Sequence, residues 1–138
     1  MTLQEKQEEF LLDALEYYCQ DPEKRRCTMI TGECFYAPIS SHTEGCMIGR
    51  KLPLGIATTL DSLAGTFSST GISNSYVFEL IPEELKELTV DFLNICQQLH
   101  DGGFHWNLEG LTDLGKQMLK LEIINRFNLN ESKFEKYL

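Results

Sequence analysis

Cysteine and histidine side chains are the first groups in this sequence that could hold a metal ion or act as a nucleophile. The chain has five cysteines and three histidines: Cys19, Cys27, Cys34, Cys46, Cys96, His42, His100 and His105. Structural zinc sites usually take paired ligands two to four residues apart, whereas Cys27 and Cys34 are separated by six residues and no C-x-x-C occurs. The set Cys27, Cys34, His42 and Cys46 is therefore only a weak candidate for a metal site. We expect no metal or cofactor and cysteines that pack as small apolar residues.

Cys46 has a context that could favour a reactive thiolate. It follows Gly45 at a possible helix N-terminus, where the helix dipole lowers the pKa of a thiol. His42 or His100 could serve as the base. Neither histidine stands in a signature that identifies a nucleophile. A thiol enzyme or a Cys/His metal protein is therefore the third hypothesis, and the sequence favours a protein that is not an enzyme.

The segment Gly45–Lys51 and the arginines before it could bind an anion. Glycines let the backbone approach a ligand closely, and free amides at a helix start favour negative charge. Arg50 could add a bidentate fork for phosphate or carboxylate, although the spacing is not that of a Walker A loop. The candidate anion ligands are Arg25, Arg26, Gly45, Gly49, Arg50 and Lys51. The alternative is a packing corner eased by glycines, with Met47 and Ile48 pointing into the core.

The charge of the chain is strongly uneven. Its net charge is −9, yet residues 24–51 carry five basic and two acidic residues, a local +3 that leaves −12 elsewhere. Binding to a phosphate backbone draws its affinity from Lys and Arg, so we expect no general nucleic-acid binding. The local reversal could attract a small anionic ligand or an acidic partner, or could be a set of solvated charges.

Length and composition indicate one ordinary globular domain over residues 1–138. A chain of 138 residues can bury a real core, and 42% hydrophobic with 24% charged residues is typical of globular proteins. No apolar run approaches the roughly 20 residues of a spanning helix, and the start is polar and acidic, unlike a signal peptide. We therefore expect a cytoplasmic protein that does not enter a membrane. The odd cysteine count disfavours a disulfide framework.

Helical and strand signals alternate in a way that predicts an α+β fold. Thr2 and Glu5 have capping-box spacing, and the apolar repeat predicts a helix from Leu3 to Cys19. Two short β-prone runs, 26–30 and 33–37, joined at Thr31-Gly32, predict an antiparallel β-hairpin. The fold class is then an N-terminal helix, this small antiparallel sheet and two longer C-terminal helices in a single domain.

The second half of the chain is predicted to be mainly helical. We expect a short helix over Ala57–Ala64, and a third strand or extended segment over Tyr76–Leu80. One continuous helix is predicted from Pro82 to Leu99, ended by the Gly-Gly turn. The last major helix starts near Leu111, and Asn130 can cap a final short helix.

An apolar seam runs along the helix predicted from Pro82 to Leu99. Its residues step by three and four: Leu85, Leu88, Phe92, Ile95 and Leu99. Such a seam indicates the core face of a globular helix, with a homodimer contact as the alternative. At the end of that helix, Asp101 could orient the His100 ring and the dipole favours a charged imidazole. Trp106 is expected to cover the core; an exposed aromatic there would mark a contact surface.

Two blocks of sequence together resemble small proteins of bacteriophages and prophages. Cys34–Tyr36 followed by Cys46–Arg50 resembles a C-x-Y … C-A-I-G-R pattern, with Met47 in place of the alanine. Leu99–Asp101, Trp106 and then Gly110–Lys116 resemble an L-H-D … W … G-L-[ST]-x-x-G-K pattern. The resemblance implies a phage accessory protein and a shared fold. It implies no catalytic residues, because that group has no assigned activity.

Leu111–Lys116 also resembles the wing-to-helix step of winged-helix proteins, which would imply DNA binding. The composition opposes that function: over 82–99 the only basic residue is Lys86, against four acidic residues. A recognition helix of this kind would repel phosphate.

The first hypothesis for function is therefore a non-enzymatic accessory binding protein that sequesters or inhibits a host component, plausibly a host protein. The second is a binder of a phosphorylated or nucleotide ligand through Gly45–Lys51 and the nearby arginines.

Overall fold

The computed structural model describes residues 1–28, 35–41, 43–62, 72 and 74–138. The α+β class is confirmed, since helices dominate and one small antiparallel sheet is present. The α-helices of the described residues are α1 (Leu3–Gln20), α2 (Pro22–Arg25), α3 (Leu54–Ser62), α4 (Ser75–Leu80), α5 (Glu83–Lys86), α6 (Val90–Asp101) and α7 (Asp113–Met118). The strands are β1 (Trp106–Asn107) and β2 (Gly110–Leu111). Short 3₁₀ turns lie at Gly49–Lys51, Gly103–His105 and Glu131–Tyr137. No helix among these residues is long and apolar enough to cross a bilayer.

The N-terminal helix forms as its capping signal predicts. The Glu5 amide donates to the Thr2 hydroxyl at 3.1 Å, and the Thr2 amide donates to the Glu5 carboxylate at 3.2 Å. These reciprocal bonds satisfy amides that a helix start leaves without partners. At the other end Asp21 interrupts the helix and its side chain accepts from the Lys24 amide, so a new short helix begins at Pro22.

The helix predicted from Pro82 to Leu99 is interrupted, and that prediction was wrong. Helix α5 ends at Lys86, and Thr89 adopts a positive φ of 77° before α6 begins at Val90. The Thr89 hydroxyl accepts from the Phe92 amide at 3.3 Å and so caps α6. The Leu88 carbonyl accepts instead from the buried Gln7 side chain of α1 at 2.9 Å. A tertiary hydrogen bond and a new cap therefore replace the turn of a continuous helix.

The sheet of the described residues lies in a part of the chain where no strand was predicted. Trp106 pairs with Leu111 and Asn107 with Gly110 in antiparallel register. The Asn107 side chain accepts from the amides of Glu109 and Gly110 at 2.8 and 3.1 Å, which closes the turn. Gly110 has a φ of +144°, a conformation that favours glycine. An Asx turn thus makes this hairpin.

The hairpin predicted over 26–37 lies mostly outside the described residues, which omit 29–34. At its described base the Phe35 amide donates to the Cys27 carbonyl at 3.1 Å. The strand considered over Tyr76–Leu80 is instead helix α4. The Asn74 side chain accepts from the Tyr76 and Val77 amides, a helix cap that outweighs β propensity. The short helix predicted over Ala57–Ala64 is found at Leu54–Ser62.

Aromatic packing joins the first and last parts of the chain. The Phe92 ring of α6 packs edge-to-face against two other rings. The distance between ring centroids is 6.0 Å to Phe10 of α1 and 5.3 Å to Phe127. The five seam residues from Leu85 to Leu99 are all buried, between 0% and 8% exposed. They form part of the core of this chain, which confirms the core-face interpretation. A homodimer stays a prediction.

The C-terminal part begins as the sequence indicates. Thr112 caps α7 through the Gly115 amide at 3.1 Å, and the helix continues as a π-helical stretch over Leu119–Ile124. Asn130 caps the final short helix through the Ser132 amide at 3.2 Å. The buried Glu8 carboxylate accepts from the Asn130 amide at 2.6 Å and from Lys133 at 2.9 Å. These bonds tie the C-terminus to α1.

Candidate functional site

The two glycines of the Gly45–Lys51 segment provide space for a backbone contact inside the protein. A Cβ at either Gly45 or Gly49 would overlap the Tyr36 carbonyl. Gly45 also has a φ of +92°, and its carbonyl accepts from the buried Tyr18 hydroxyl at 2.6 Å. Glycine is therefore required here by close packing, which matches the packing-corner alternative. Met47 and Ile48 are fully buried, as that alternative also requires.

The amides of the same segment already have acceptors. The Cys46 amide donates to the Phe35 carbonyl at 2.8 Å, and the Ile48 amide donates to the Gln97 side chain at 3.3 Å. The Gly49 amide points at the Cys46 sulfur at 3.4 Å. An anion cradle needs amides directed at the ligand. Here three of them are directed at protein groups.

Arg50 and Lys51 are paired with carboxylates. Arg50 contacts Asp13 at 2.7 Å and Glu44 at 3.4 Å, and its side chain is only 10% exposed. Lys51 contacts the same Asp13 oxygen at 2.5 Å. Burial opposes ionisation of Asp13, but the hydrogen bonds from Lys51 and Arg50 lower the pKa of its carboxyl below the usual value. These cations act as structural partners of α1.

Arg25 and Arg50 meet on the ring of Tyr17. Their guanidinium carbons lie 4.7 and 4.5 Å from the ring centroid, within the range of cation–π contacts. Arg25 also donates to the Tyr17 carbonyl at 3.2 Å. An open cleft of about 550 Å³ lies beside Arg25 and Tyr17, with further walls from Lys24, Ser41 and the carboxylates Asp21 and Glu44. Two of the predicted anion ligands are therefore close together.

Arg26 lies elsewhere, at the C-terminal end of α6. It donates to the carbonyls of His100 and Asp101 at 2.9 and 3.2 Å, and its guanidinium lies 5.6 Å from the Trp106 ring centroid. These carbonyls are among those that a helix end leaves without partners. The basic side chains thus occupy two places: Arg25, Arg50 and Lys51 lie around Tyr17 and Asp13, and Arg26 lies at the end of α6. The described contacts do not bring all four to one cavity.

Cys27 and Cys46 are buried thiols rather than thiolates. Cys27 donates to the Ala37 carbonyl at 3.1 Å. Burial raises the pKa of the Cys27 and Cys46 thiols above the usual value, so both stay protonated at neutral pH. The helix predicted to begin at Cys46 is replaced by a three-residue 3₁₀ turn that begins at Gly49, and desolvation has the largest effect on the Cys46 thiol. Cys34 and His42 lie outside the described residues. Within the part that is described, no three His, Cys, Asp or Glu side chains form a group that could hold a metal ion, and we identify no metal ligand.

The end of α6 carries a polar network that the sequence reveals only as a His-Asp pair. The His100 ring is completely buried, and its Nδ1 lies 2.8 Å from Asp101. Burial lowers the pKa of His100 below its usual value, which opposes the charged imidazole that the helix dipole favours. Beyond it, Trp106 is buried and donates from Nε1 to the Leu99 carbonyl at 2.9 Å. Trp106 therefore covers the core, as predicted.

The sequence suggested that an exposed aromatic at Trp106 would mark a contact surface. Trp106 itself is buried, and the exposed apolar side chains belong to residues that follow or precede it in the sequence. Four apolar residues of this part of the chain are exposed, namely Phe104, Leu108, Leu114 and Leu121, by 86%, 71%, 52% and 50%. We call the two most exposed of them, Phe104 and Leu108, the turn surface. Phe104 and Leu108 flank strand β1, and the other two belong to the helix that begins at α7. A Cβ at Gly115 would overlap the His105 carbonyl, so this helix packs directly on the turn that carries Phe104.

Comparisons of the chain with protein-family models, curated proteins and solved structures find no match.

Proposed function

We propose that this chain is a non-enzymatic binding protein, of the phage accessory kind its sequence resembles, that sequesters or inhibits a host protein. Such a protein would act in the host cytosol. The observation that carries the proposal is the turn surface, in which a phenylalanine and a leucine, Phe104 and Leu108, are 86% and 71% exposed within five residues of each other. Exposed aromatic and aliphatic groups of this kind are typical of protein contact sites.

The backbone below these side chains is held by hydrogen bonds. The Thr112 hydroxyl donates to the Phe104 carbonyl at 2.6 Å, and the Thr112 amide donates to the His105 carbonyl at 2.9 Å. Asn107 closes the turn that carries Leu108. A preorganised turn loses little conformational entropy when it docks, so more of the gain from apolar burial is kept as affinity.

The charges beside the turn surface indicate the chemistry of the partner. Residues 101–113 contain three acidic residues, Asp101, Glu109 and Asp113, and no Lys or Arg. Arg26 lines the cleft beside Leu108 together with Glu23, so acidic groups outnumber this cation around the turn. Complementary potentials speed association and disfavour wrong partners. A host protein with an apolar pocket bordered by Lys and Arg would therefore fit best.

Affinity capture with matched variants tests the proposal. The immobilised protein is incubated with bacterial lysate, and captured proteins are quantified by mass spectrometry. The double variant Phe104→Ser/Leu108→Ser removes the apolar contacts, whereas Leu54→Ser changes an equally exposed leucine, 65% accessible, on α3. We expect one host protein to be retained by the wild type and by L54S, and its capture to fall at least about tenfold in the double variant. Equal capture by all three proteins would contradict the proposal.

A second candidate is a binder of a phosphorylated or nucleotide ligand, favoured by the meeting of Arg25 and Arg50 beside the cleft. Arg50 is already paired with Asp13 and Glu44, so Arg25 and Lys24 would supply the charge. Saturation at about 100 times Kd adds about 2.7 kcal/mol to the free energy of unfolding. A thermal-shift series with ATP, GTP and inorganic phosphate should then raise the Tm of the wild type and leave Arg25→Ala unchanged. No shift with any of these probes would reject this candidate.

A further inference from the structure

The His100 ring joins the end of α6 to the chain that follows α2. Its Nε2 lies 3.3 Å from the Cys27 backbone amide, which can only donate, so Nε2 must accept and carries no proton. The proton is thereby assigned to Nδ1, which donates to Asp101 Oδ1 at 2.8 Å. The ring is 0% exposed. Both nitrogens are thus committed to protein groups, and the imidazole is neutral.

The groups around the ring hold this arrangement in place. From the segment after α2, Arg26 binds the His100 and Asp101 carbonyls. From α1, the Tyr18 ring contacts the imidazole edge-to-face at 4.9 Å. From α6 itself, Gln97 donates to the same Asp101 oxygen at 3.0 Å.

The balance of charge around His100 favours the neutral ring. Burial lowers its pKa most, and the Arg26 charge adds to this, whereas Asp101 acts in the opposite direction. Among the described residues, the other titratable groups that face this cluster are the Tyr18, Tyr36, Cys27 and Cys46 side chains. Each has a pKa raised by burial and stays uncharged at neutral and mildly acidic pH.

Among the residues that the structure describes, a second ring proton on His100 has no acceptor. Protonation of Nε2 would place its N–H opposite the Cys27 N–H, so that two donors face each other at a buried site. Cys27 would lose its acceptor, and a buried donor without a partner is unfavourable. The positive ring would also lie close to the Arg26 guanidinium. Relief requires that Cys27, and Arg26 beside it, move away from the end of α6.

We propose that His100 is a pH-sensitive latch whose neutral ring holds the Arg26–Cys27 backbone on the end of α6 and whose protonation releases it. The direction follows from linkage. Since the folded protein prefers the neutral ring, the closed latch has its full stability above the usual histidine pKa of about 6.5. It loses stability as the pH falls from there towards the lowered pKa of the buried ring. This proposal does not depend on the identity of any partner.

Nuclear magnetic resonance of the full chain tests the latch. Ring ¹⁵N shifts report the tautomer of His100, and the hydrogen-exchange protection factor of the Cys27 amide reports closure, both followed from about pH 7.5 to about pH 5. We expect a neutral Nδ1–H ring at the higher pH. As the ring becomes protonated, Cys27 protection should fall at least about tenfold, with the same midpoint.

Two variants test whether the pH dependence at Cys27 comes from His100 or from the protonation of other groups. His105→Gln removes a partly exposed histidine that contacts the Leu99 carbonyl at 3.1 Å and should leave the Cys27 transition unchanged. His100→Gln keeps an acceptor near the Nε2 position and should make Cys27 protection independent of pH in this range. If H100Q does not fold, the pH series on the wild-type protein still tests the proposal. A ring that titrates without any change at Cys27, or a Cys27 amide that opens while the ring stays neutral, would overturn the proposal.

Discussion

At the scale of single residues, the Gly45–Lys51 segment shows why a glycine pattern has two meanings. Glycine permits close approach of another group, and the sequence does not say whether that group is a ligand or the protein's own backbone. Here both Gly45 and Gly49 face the Tyr36 carbonyl. The two glycines were expected to permit the close approach of another group. Only the tertiary structure shows that this group is the Tyr36 carbonyl.

Gly49→Ala tests that interpretation at one residue. The added methyl group would overlap the Tyr36 backbone, which cannot move without disturbing the core, so the free energy of unfolding should fall by about 1–3 kcal/mol. Gly55→Ala is the matched control, because no atom lies within 4 Å of a Cβ at that helical position. It should be neutral or stabilise the fold by up to about 1 kcal/mol. Urea denaturation of both variants measures the difference, and equal stabilities would contradict the packing role of Gly49.

At the scale of elements, side-chain caps and bonds between distant segments decide where helices begin and what they contact. Thr2, Asn74, Thr112 and Asn130 each accept from amides at a helix start. Such local signals can be read from a sequence, and those at residues 2 and 130 were. The break between α5 and α6 could not be predicted, because it involves the Gln7 side chain of α1, which is 81 residues away from Leu88.

The attachment of the C-terminal 3₁₀ helix to α1 depends on Glu8. Its carboxylate is 2% exposed and accepts from the Asn130 amide, Lys133 and Gln4. Glu8→Gln replaces one acceptor oxygen with a donor, so the free energy of unfolding should fall by about 1–3 kcal/mol. Glu131→Gln, which weakens a half-exposed pair with Lys120 at 3.8 Å, should have little effect. Chemical denaturation compares the two, and a larger loss in E131Q would refute this assignment.

At the scale of the whole molecule, one core joins the two ends of the chain, and the acidic body presents the turn surface to the solvent. The apolar seam from Leu85 to Leu99 packs inside this core. Burial of these residues therefore does not require a second copy of the chain. The proposed partner contact is made elsewhere, by residues whose exposure is a property of the assembled fold.

The pH dependence of stability should show two acid-induced losses. The first begins below about pH 6.5, because the pKa of buried His100 lies below its usual value and the unfolded chain takes up the proton first. The second begins near pH 4.5. The pKa values of Glu8 and Asp13 are lowered by their cationic hydrogen-bond partners against the opposing effect of burial, so their stabilisation is lost as they become protonated. Tm measured against pH should show both intervals, with H100Q lacking the first and E8Q weakening the second. A single loss confined to pH values below about 4.5 would contradict the assignment to His100.

The sequence by itself determined the α+β class, the first helix with its cap, the capped C-terminal turn and the burial of the seam. These depend on apolar periodicity and on caps within a few residues, both of which are local. Tertiary structure alone decided that Arg26 lies apart from Arg25, Arg50 and Lys51, and that Trp106 is buried while Phe104 is exposed. It also decided that His100 is neutral. Each of these outcomes depends on contacts between residues far apart in the chain, such as Arg50 with Asp13 and His100 with Cys27, and no local pattern encodes them.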